Sequence, residues 1–398
     1  MGSTMKERLA RIRLGSGALG SVSRSLPLKR TVPVDFPSGW NMIEDGLRFK
    51  ETIAMEPAKA HGESMRLGRF TTRAPETGIN LKDIVFFDLE TTGLSGGTGT
   101  LAFLAALGAF MPDGRFAVRQ YFIDDYPAET AFLERLDAEF SKASAVISYN
   151  GASFDMPLYS VRRIMNGLGA PPMIVHVDVI HAARRLWRHT LGNCSLGNLE
   201  STVLGLRRSG DISGSEVPAV WFDFLKHGCS DRLHAVFSHN EQDVRSLAAL
   251  FLLIYAGIAG GETIPCQDPV GLAALQARLD HGMAEKTLLT ALAAGNVRAV
   301  RPLMRLYRVQ GQLLQRMALI PLLPDDPAGL FSKSVYAERI LGDLTASKSL
   351  VDAAILSAAG VLKERARNDR HGWIENYEAC SRWLELVFRR GVGAQGVA

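Results

Sequence analysis

The sequence is poor in cysteine and has no long apolar run, and both absences narrow the class of protein. It has four cysteines, Cys194, Cys229, Cys266 and Cys380, and no two of them form a CxxC pair. This spacing supports neither a zinc ribbon nor a disulfide framework, so we expect free thiols in a reducing cytosol. The longest apolar run, LAALFLLIYAGIAG from Leu247, has 14 residues. It is shorter than a membrane span and typical of a buried helix.

Charge and targeting signals are also sparse. Basic residues near the start are not followed by an apolar segment, so we predict no secretory signal, no membrane contact and a cytoplasmic location. The net charge is only +4, which argues against a strongly cationic nucleic-acid binder and leaves room for a local basic groove. No P-loop pattern is present. Residues 81–260 hold more acidic than basic residues, as a cation-binding centre would.

The length of 398 residues predicts two or three domains. Residues 1–80 show weak periodicity and are interpreted as an N-terminal extension with little independent core, which packs on the neighbouring domain. Residues 81–260 predict three antiparallel strands, with a hairpin turn at Asp113, and then alternating helices and strands, which make a mixed α/β domain. Residues 261–398 predict only paired amphipathic helices. This region resembles a TPR-like array but shows no clean repeat of that length.

Two acidic residues end the first predicted strand of the α/β domain. In VFFDLETTGL, which begins at Val85, Asp88 and Glu90 are two residues apart at the end of an apolar run. Side chains at i and i+2 of a strand point to the same face, so both carboxylates face one way. Like charges this close repel unless a cation lies between them, and oxygen ligands favour Mg²⁺ or Mn²⁺. A pair of exposed acids at a strand end is the alternative.

Two more acidic positions follow in patterns of their own. In YNGASFD a strand ends, an Asn-Gly turn follows, and Asp155 opens a helix. In SHNEQDVRSL, His239 and Asp243 are four residues apart and share one face of a helix. Taken singly, Asp155 could be an ordinary acid of a helix N-terminus, and the His–Asp pair could be a surface pair.

Together, the three motifs resemble the DEDD (DnaQ-like) 3′→5′ exonucleases, which have an RNase H-like fold. The resemblance is carried by Asp88 and Glu90 in FDLETTGL, Asp155 in NGASFD and Asp243 in HNEQD, and it covers about residues 83–258. The segments VDVIHAARRLW, CSLGNLESTVLGL and SGDISGSEVP and the helical tail are similar to the YprB-type group of bacterial proteins. The resemblance implies a mixed sheet flanked by helices, followed by an all-α domain.

The resemblance also implies a mechanism. The four acids, Asp88, Glu90, Asp155 and Asp243, would hold two Mg²⁺ or Mn²⁺ ions about 3.5–4 Å apart for phosphodiester hydrolysis. Members of the superfamily have either a histidine five residues before the last acid or a tyrosine four residues before it. This chain has His239 at the tyrosine spacing, which is a departure from both patterns. Histidine is still a suitable general base near neutral pH.

Three residues near the acids are candidates for substrate contacts. Leu94 occupies the position where family members wedge an apolar side chain against the terminal base, with core packing as the alternative. Asn150 would hydrogen-bond near the scissile nucleotide, with a role in the turn as the alternative. Phe154, which precedes the acid of the second motif, completes this set.

A second group lies around the segment HVDVIHAARRLW. Arg184, Arg185 and Arg188 would either contact phosphate or form the solvated face of a helix that buries Trp187. Asp178 is expected to order the turn between strand and helix and not to bind metal.

The sequence thus predicts a metal-dependent 3′→5′ exonuclease that acts on DNA or RNA, with a single-stranded 3′ end as the substrate. Two alternatives stay open. One is a nucleic-acid-binding module that keeps the fold without turnover; the four intact acids argue against it, and the displaced histidine argues for it. The other is a structure-specific endonuclease. The helical region after residue 262 lacks any acid–histidine cluster, so we expect it to position substrate or to bind a protein partner.

Overall fold

A mixed seven-stranded sheet is the framework of the protein. The computed structural model describes residues 36–53, 64–71, 78–93, 99–208, 210–228 and 231–368, with backbone alone after residue 358. The strands, in chain order, are β1 (Asn41–Glu44), β2 (Leu47–Ile53), β3 (Ser64–Met65), β4 (Ile79–Asn80), β5 (Ile84–Thr91), β6 (Ala102–Phe110), β7 (Phe116–Ile123), β8 (Ala145–Ser148) and β9 (Val175–Asp178). The short strands β3 and β4 pair only with each other, and the other seven form the sheet.

The sheet order is β1-β2-β7-β6-β5-β8-β9. Strands β5, β6 and β7 are antiparallel neighbours, whereas β8 and β9 continue the sheet from β5 in parallel. This confirms the predicted three antiparallel strands, and Gly114, with a φ of 84°, allows the tight turn between β6 and β7. The hairpin of β1 and β2 pairs antiparallel with β7, so the described part of the N-terminal segment extends the sheet.

Helices cover both faces of the sheet and make up most of the described residues after β9. In chain order they are α1 (Glu129–Phe140), α2 (Asp155–Met165), α3 (Ile180–Leu191), α4 (Leu196–Leu199), α5 (Val217–His227), α6 (Leu233–Ile258), α7 (Pro269–Gln276), α8 (His281–Ala293), α9 (Val300–Val309), α10 (Leu313–Ala318), α11 (Pro327–Tyr336) and α12 (Leu344–Asn368). In the described part of the chain, none of them is both long and apolar enough to span a membrane.

Strand β5 separates two hydrophobic cores. Val85 and Phe87 face the core that contains α1 and α5, whereas Ile84 and Phe86 face the core that contains α3 and α6. Helix α6 lies close against the sheet at Gly108 of β6, where a Cβ atom would come within 2.5 Å of Val244. The alternation along β5 therefore directs the next side chains on the α6 side, which are the two acids of the first motif, toward α6.

The region after residue 262 is helical throughout its described part, as the sequence predicted, with a core of its own between α7, α8 and α9. It is also anchored on α3. Nε1 of Trp187 donates to the carbonyl oxygen of Pro265 at 2.9 Å, and the backbone amide of Asp268 donates to the carbonyl of Leu186 at 2.7 Å. A Cβ atom on Gly271 would lie 1.8 Å from the carbonyl oxygen of Arg185, so α7 meets α3 backbone to backbone.

Candidate active site

The first two acids lie where β5 leaves the core. Asp88 pairs in register with Ala106 of β6, and the register shifts after Glu90, which ends the regular ladder at this point. Both side chains point toward α6. There the Nδ2 group of Asn240 donates to Oδ2 of Asp88 at 2.8 Å. An apolar strand thus carries two carboxylates into a partly enclosed space between sheet and helix.

The third acid is positioned by the turn after β8. Asn150 takes the left-handed conformation with a φ of 66°, and Asp155 is the first residue of α2 and only 9% exposed. Gly151 lies directly against it, because a Cβ atom there would be 2.8 Å from Oδ2 of Asp155. The backbone amide of Leu89 donates to the Asp155 carboxylate, which joins this turn to β5.

The fourth acid comes from α6. His239 and Asp243 lie one turn apart, with Nε2 of His239 at 3.6 Å from Oδ2 of Asp243. The same ring nitrogen is 3.9 Å from Oε1 of Glu90. The predicted sharing of one helix face is therefore observed, and the imidazole faces two of the four acids.

The four carboxylates interact electrostatically at one end of the sheet. Burial, and then repulsion from the other three, raises the pKa of Asp88 well above its usual range. The pKa of Glu90 is raised in the same way, by burial first and by Asp243 and Asp155 next. Burial raises the pKa of Asp155 to about 7, with repulsion from Asp178 and Asp243 added. Without a counter-charge, this arrangement disfavours ionisation of all its members.

Arg208 supplies part of that counter-charge. It lies in the segment after α4, and its guanidinium contacts the Asp243 carboxylate. It also donates from Nη2 to Oε1 of Glu200 at 2.7 Å, and Glu200 is only 1% exposed. Burial lowers the pKa of Arg208, but the contacts with Glu200 and Asp243 outweigh it and raise the pKa overall. Asp243 and the buried Glu200, which is not one of the four acids, therefore share the positive charge of Arg208.

Asp211 completes the surroundings of the histidine. Its Oδ1 atom lies 2.7 Å from Nδ1 of His239, and its Oδ2 atom lies 3.3 Å from Nη1 of Arg208. Nη1 of Arg208 is also 2.9 Å from Nδ1 of His239. Because a carboxylate can only accept, the shorter contact assigns the proton to Nδ1 and leaves Nε2 free to accept.

The donor chemistry of the site can be tested against a divalent cation. In the ranges that the structure describes, no group of three or more His, Cys, Asp or Glu side chains is arranged to hold a metal ion as it stands. The four acids still fit a divalent cation, because carboxylates are hard oxygen donors. A bound cation would also offset their burial and their mutual repulsion.

The predicted substrate-binding residues have different positions. Asn150 adjoins the third acid through its turn, and its backbone amide donates to Oδ1 of Asp178 at 2.7 Å. Asp178 also accepts from the amides of Ala152 and Ile180, both at 3.1 Å, so it orders the turn as expected. Phe154 is 52% exposed beside the site. Leu94 lies outside the described residues.

Four residues of the site were not identified from the sequence: Asn240, Glu200, Arg208 and Asp211. Asn240 was detectable in principle, because it lies three residues before Asp243 at a helical spacing. Glu200 begins a π-helical turn, and Arg208 and Asp211 follow it at spacings that no periodic pattern relates to α6. The packing of the chain on α6 brings Arg208 and Asp211 to His239, and Glu200 contacts Arg208.

The fold agrees with a comparison to known protein families. A family model described as RNase_H superfamily (RNase_H_2) matches residues 85–255. The chain is 38% identical over 177 residues to "Uncharacterized protein YprB" of Bacillus subtilis (strain 168), a match that covers 44% of this chain and 42% of the relative. The aligned region thus spans less than half of the relative's length.

A solved structure with similarity to the chain is the family B DNA polymerase of the archaeon Pyrobaculum calidifontis. The match has 20% identity, covers 54% of this chain and 29% of the polymerase, and has a TM-score of 0.34. Residues 85–255 match the model of the RNase H superfamily, and the mixed sheet flanked by helices is an RNase H-like fold.

Proposed function

We propose that this protein is a metal-dependent nuclease that removes nucleotides from the 3′ end of a nucleic acid strand. One observation carries the proposal. Three separate elements, β5, the start of α2 and α6, bring four shielded carboxylates together beside a histidine. Burying acids in this way destabilises a fold unless a cation compensates them. Nucleases of this superfamily generally use divalent metal ions.

In this proposal Asp88, Glu90, Asp155 and Asp243 hold two Mg²⁺ or Mn²⁺ ions. When bound, such ions activate a water molecule and stabilise the charge on the leaving oxygen of a phosphodiester. The chain contributes the geometry, since β5 and α6 are packed against each other through Gly108 and Val244. The acids therefore do not need to move far to share a cation.

His239 is proposed as the general base. Asp211 accepts a hydrogen bond from the Nδ1–H group of His239, so Nε2 is left to take a proton on the side of the acids. Arg208 is proposed as a positioning residue, because it contacts Asp243 and Asp211 and is held by buried Glu200. Its positive charge also keeps the pocket from repelling substrate phosphates as strongly as four bare carboxylates would.

The choice of 3′→5′ exonuclease rests on the order of the motifs. An Asp-x-Glu strand, an acid at the start of a helix and a His-x-x-x-Asp helix follow one another as in the DEDD exonucleases. A single-stranded 3′ end is the proposed substrate. Asn150, in the turn before the third acid, and exposed Phe154, which directly precedes that acid, are proposed to contact it. Leu94 is retained as a proposed contact from sequence alone.

The deciding experiment is digestion of an oligonucleotide that is labelled at its 5′ end in one sample and at its 3′ end in another. Each is incubated with Mn²⁺, as DNA and as RNA. We expect a ladder of shortened 5′-labelled products and early release of a labelled mononucleotide from the 3′ end. Asp88→Asn is the control, because it removes a proposed ligand with little change in shape.

The other outcomes separate the competing functions. Internal cuts in both labelled strands would identify an endonuclease. Binding in a gel shift without cleavage at any Mn²⁺ concentration would identify a binding module. Cleavage that is equal in the parent and in Asp88→Asn would indicate a contaminating nuclease and refute the proposed site.

A further inference from the structure

A cavity beside the acid cluster has a basic and polar wall. Its volume is about 660 Å³, within the range of protein sites that bind small ligands or parts of larger ones. It lies between the turn after β8, the helix α3 and the segment that leads into α4. Its lining residues are Tyr149, Asn150, Ile180, Arg184, Arg188, Gly192, Asn193, Cys194, Ser195 and Leu196.

Two arginines give the cavity its charge. Arg184 and Arg188 are four residues apart on α3, so their side chains lie on one helix face with Cβ atoms about 5–6 Å apart. The lining contains no aspartate or glutamate. Within the described part of the chain, neither guanidinium has a hydrogen-bonding or ion-pair partner. Most other arginines around the sheet are paired, for example Arg48 with Asp124 at 2.7 Å and Arg119 with Glu51 at 2.9 Å.

The rest of the wall is held by hydrogen bonds and contains both polar and apolar groups. The hydroxyl of Tyr149 donates to the carbonyl oxygen of Cys194, which closes one side. Asn193 holds the next turn, since its Oδ1 accepts from the backbone amide of Ser195 at 2.9 Å. Ile180 and Leu196 add apolar surface. Such a wall suits a ligand that carries phosphates along an organic scaffold.

The cavity and the acid cluster adjoin the same turn of the chain. Asn150 lines the cavity, and the next residue, Gly151, lies against the carboxylate of Asp155. A second acid next to this turn, Asp178, accepts hydrogen bonds from three backbone amides, those of Asn150, Ala152 and Ile180. These hydrogen bonds compensate part of its charge and so reduce its repulsion of an anion in the cavity.

We propose that this cavity binds the phosphodiester backbone of the substrate strand, with Arg184 and Arg188 on successive phosphates upstream of the end that reaches the acids. This inference rests on the proposed nuclease function and adds a substrate subsite to it. The two arginines grip the backbone without reading sequence, as phosphate contacts do. They also explain how a chain with a net charge of only +4 would hold a polyanion, since the positive charge is concentrated at one wall.

The test is the affinity for a fluorescent single-stranded oligonucleotide about 12 nucleotides long, within the site sizes typical of such proteins. Fluorescence anisotropy is measured with Mn²⁺ in the full-length Asp88→Asn protein, between about 50 and 200 mM salt. Arg184→Gln and Arg188→Gln are introduced singly and together. Arg185→Gln is the matched control, because Arg185 is exposed on the same helix and does not line the cavity.

Each cavity variant should weaken binding about tenfold, the loss expected for one charge-assisted hydrogen bond. Each should also reduce the slope of log affinity against log salt by about 0.7, the value for one phosphate contact on a single strand. Arg185→Gln should change neither. In the active protein the two variants should raise KM for the long oligonucleotide. They should leave kcat for a dinucleotide unchanged, since a dinucleotide does not reach the cavity.

Three results would overturn the inference. The first is an affinity and salt slope in the double variant equal to those of Arg185→Gln. The second is an equal loss of affinity for a free mononucleotide, which would make the cavity a nucleotide pocket and not a backbone subsite. The third is a lower kcat for the dinucleotide, which would place the arginines at the reaction. If the parent protein digests no oligonucleotide but the affinity losses occur, the proposed function fails and the backbone site stands.

Discussion

The Asp211 carboxylate lies 2.7 Å from Nδ1 of His239, on the side of the ring opposite the acids. The pKa of Asp211 is lowered: burial acts to raise it, and the hydrogen bond from His239 outweighs that effect. The contact fixes the orientation of the imidazole, so that Nε2 faces Glu90 and Asp243. His239 has the spacing of the tyrosine in the DEDD exonucleases, and on the proposed function Asp211 would hold the imidazole in the orientation that a general base needs.

Asp211→Ala should lower kcat by about 10- to 100-fold, as loss of a partner that orients a functional histidine does. In a protein that already carries His239→Ala, the same substitution should have less than about a twofold effect, because the group it orients is gone. The measurement is a double-mutant cycle on kcat. Additive losses would mean that Asp211 acts on the fold and not through His239.

His239→Ala should lower kcat by about 10²–10⁴-fold, the usual contribution of a general base. The pH–rate profile should also lose the limb that a histidine contributes near neutral pH. The dependence on Mn²⁺ concentration should stay nearly unchanged, since the four acids are intact. His239→Tyr, which recreates the spacing of the related enzymes, should recover part of the rate. A full rate and an unchanged profile in His239→Ala would show that it is not the base.

Asp88→Ala should abolish hydrolysis and leave the fold intact. Without metal, its melting temperature should equal or exceed that of the parent, because the substitution removes a buried charge that the other acids repel. Circular dichroism melting curves with EDTA and with Mn²⁺ measure both effects. Glu134→Ala on the exposed side of α1 is the control. If the variant keeps activity within about tenfold of the parent, Asp88 is not a ligand of the metal.

The stability of the metal-free protein should depend on pH through the same acids. The pKa of Asp155 is about 7 in the folded protein and near 4 in an unfolded chain. The folded state then holds the proton more tightly, so this contribution to stability is lost as pH rises from about 4 to about 7. The melting temperature measured in EDTA should fall over that window, and Mn²⁺ should restore it at the upper end.

Asp155→Asn gives the control for this pH dependence. Its melting temperature should fall less between the same two pH values, because the amide does not titrate. If the two proteins lose stability in parallel, other groups dominate the window and Asp155 is not responsible.

Arg208→Ala should destabilise the fold by about 3 kcal/mol, because it leaves buried Glu200 without its cation. Chemical denaturation measures this loss, with exposed Arg207→Ala as the neighbouring control. Adding Glu200→Gln to Arg208→Ala should recover part of it. The rise in melting temperature caused by Mn²⁺ should be larger in Arg208→Ala than in the parent, since Asp243 then lacks a competing cation. An equal rise in melting temperature in the two proteins would show that Arg208 does not compete with metal for Asp243.

The sequence was most informative where periodicity and motif coincide. The strand β5, the turn before Asp155 and the helix that carries His239 follow from local pattern, and the structure has each of them. The antiparallel run of β5, β6 and β7 follows as well, because consecutive strands usually pair as neighbours. The family model supports the same fold over residues 85–255.

What the sequence could not predict depends on long-range contact. The hairpin of β1 and β2 adds to β7 at a separation in sequence that no local signal encodes. Arg208 and Asp211 reach α6 only because their loop folds back on it. Their spacing to His239 is irregular, so no helical or strand period connects them. The assignment of the substrate contacts and of a TPR-like array stays a prediction.

The anchoring of α7 on α3 limits how short a folded fragment of this protein can be. A cut at residue 260 would remove Ile264, Leu272 and Leu275 from the core around α6. It would also leave the indole nitrogen of Trp187 without its acceptor, on the helix that carries the arginines of the cavity. A fragment for nuclease assays should therefore extend past α7. A domain boundary at residue 260, which the change from strands to helices suggests, therefore does not separate two independent cores.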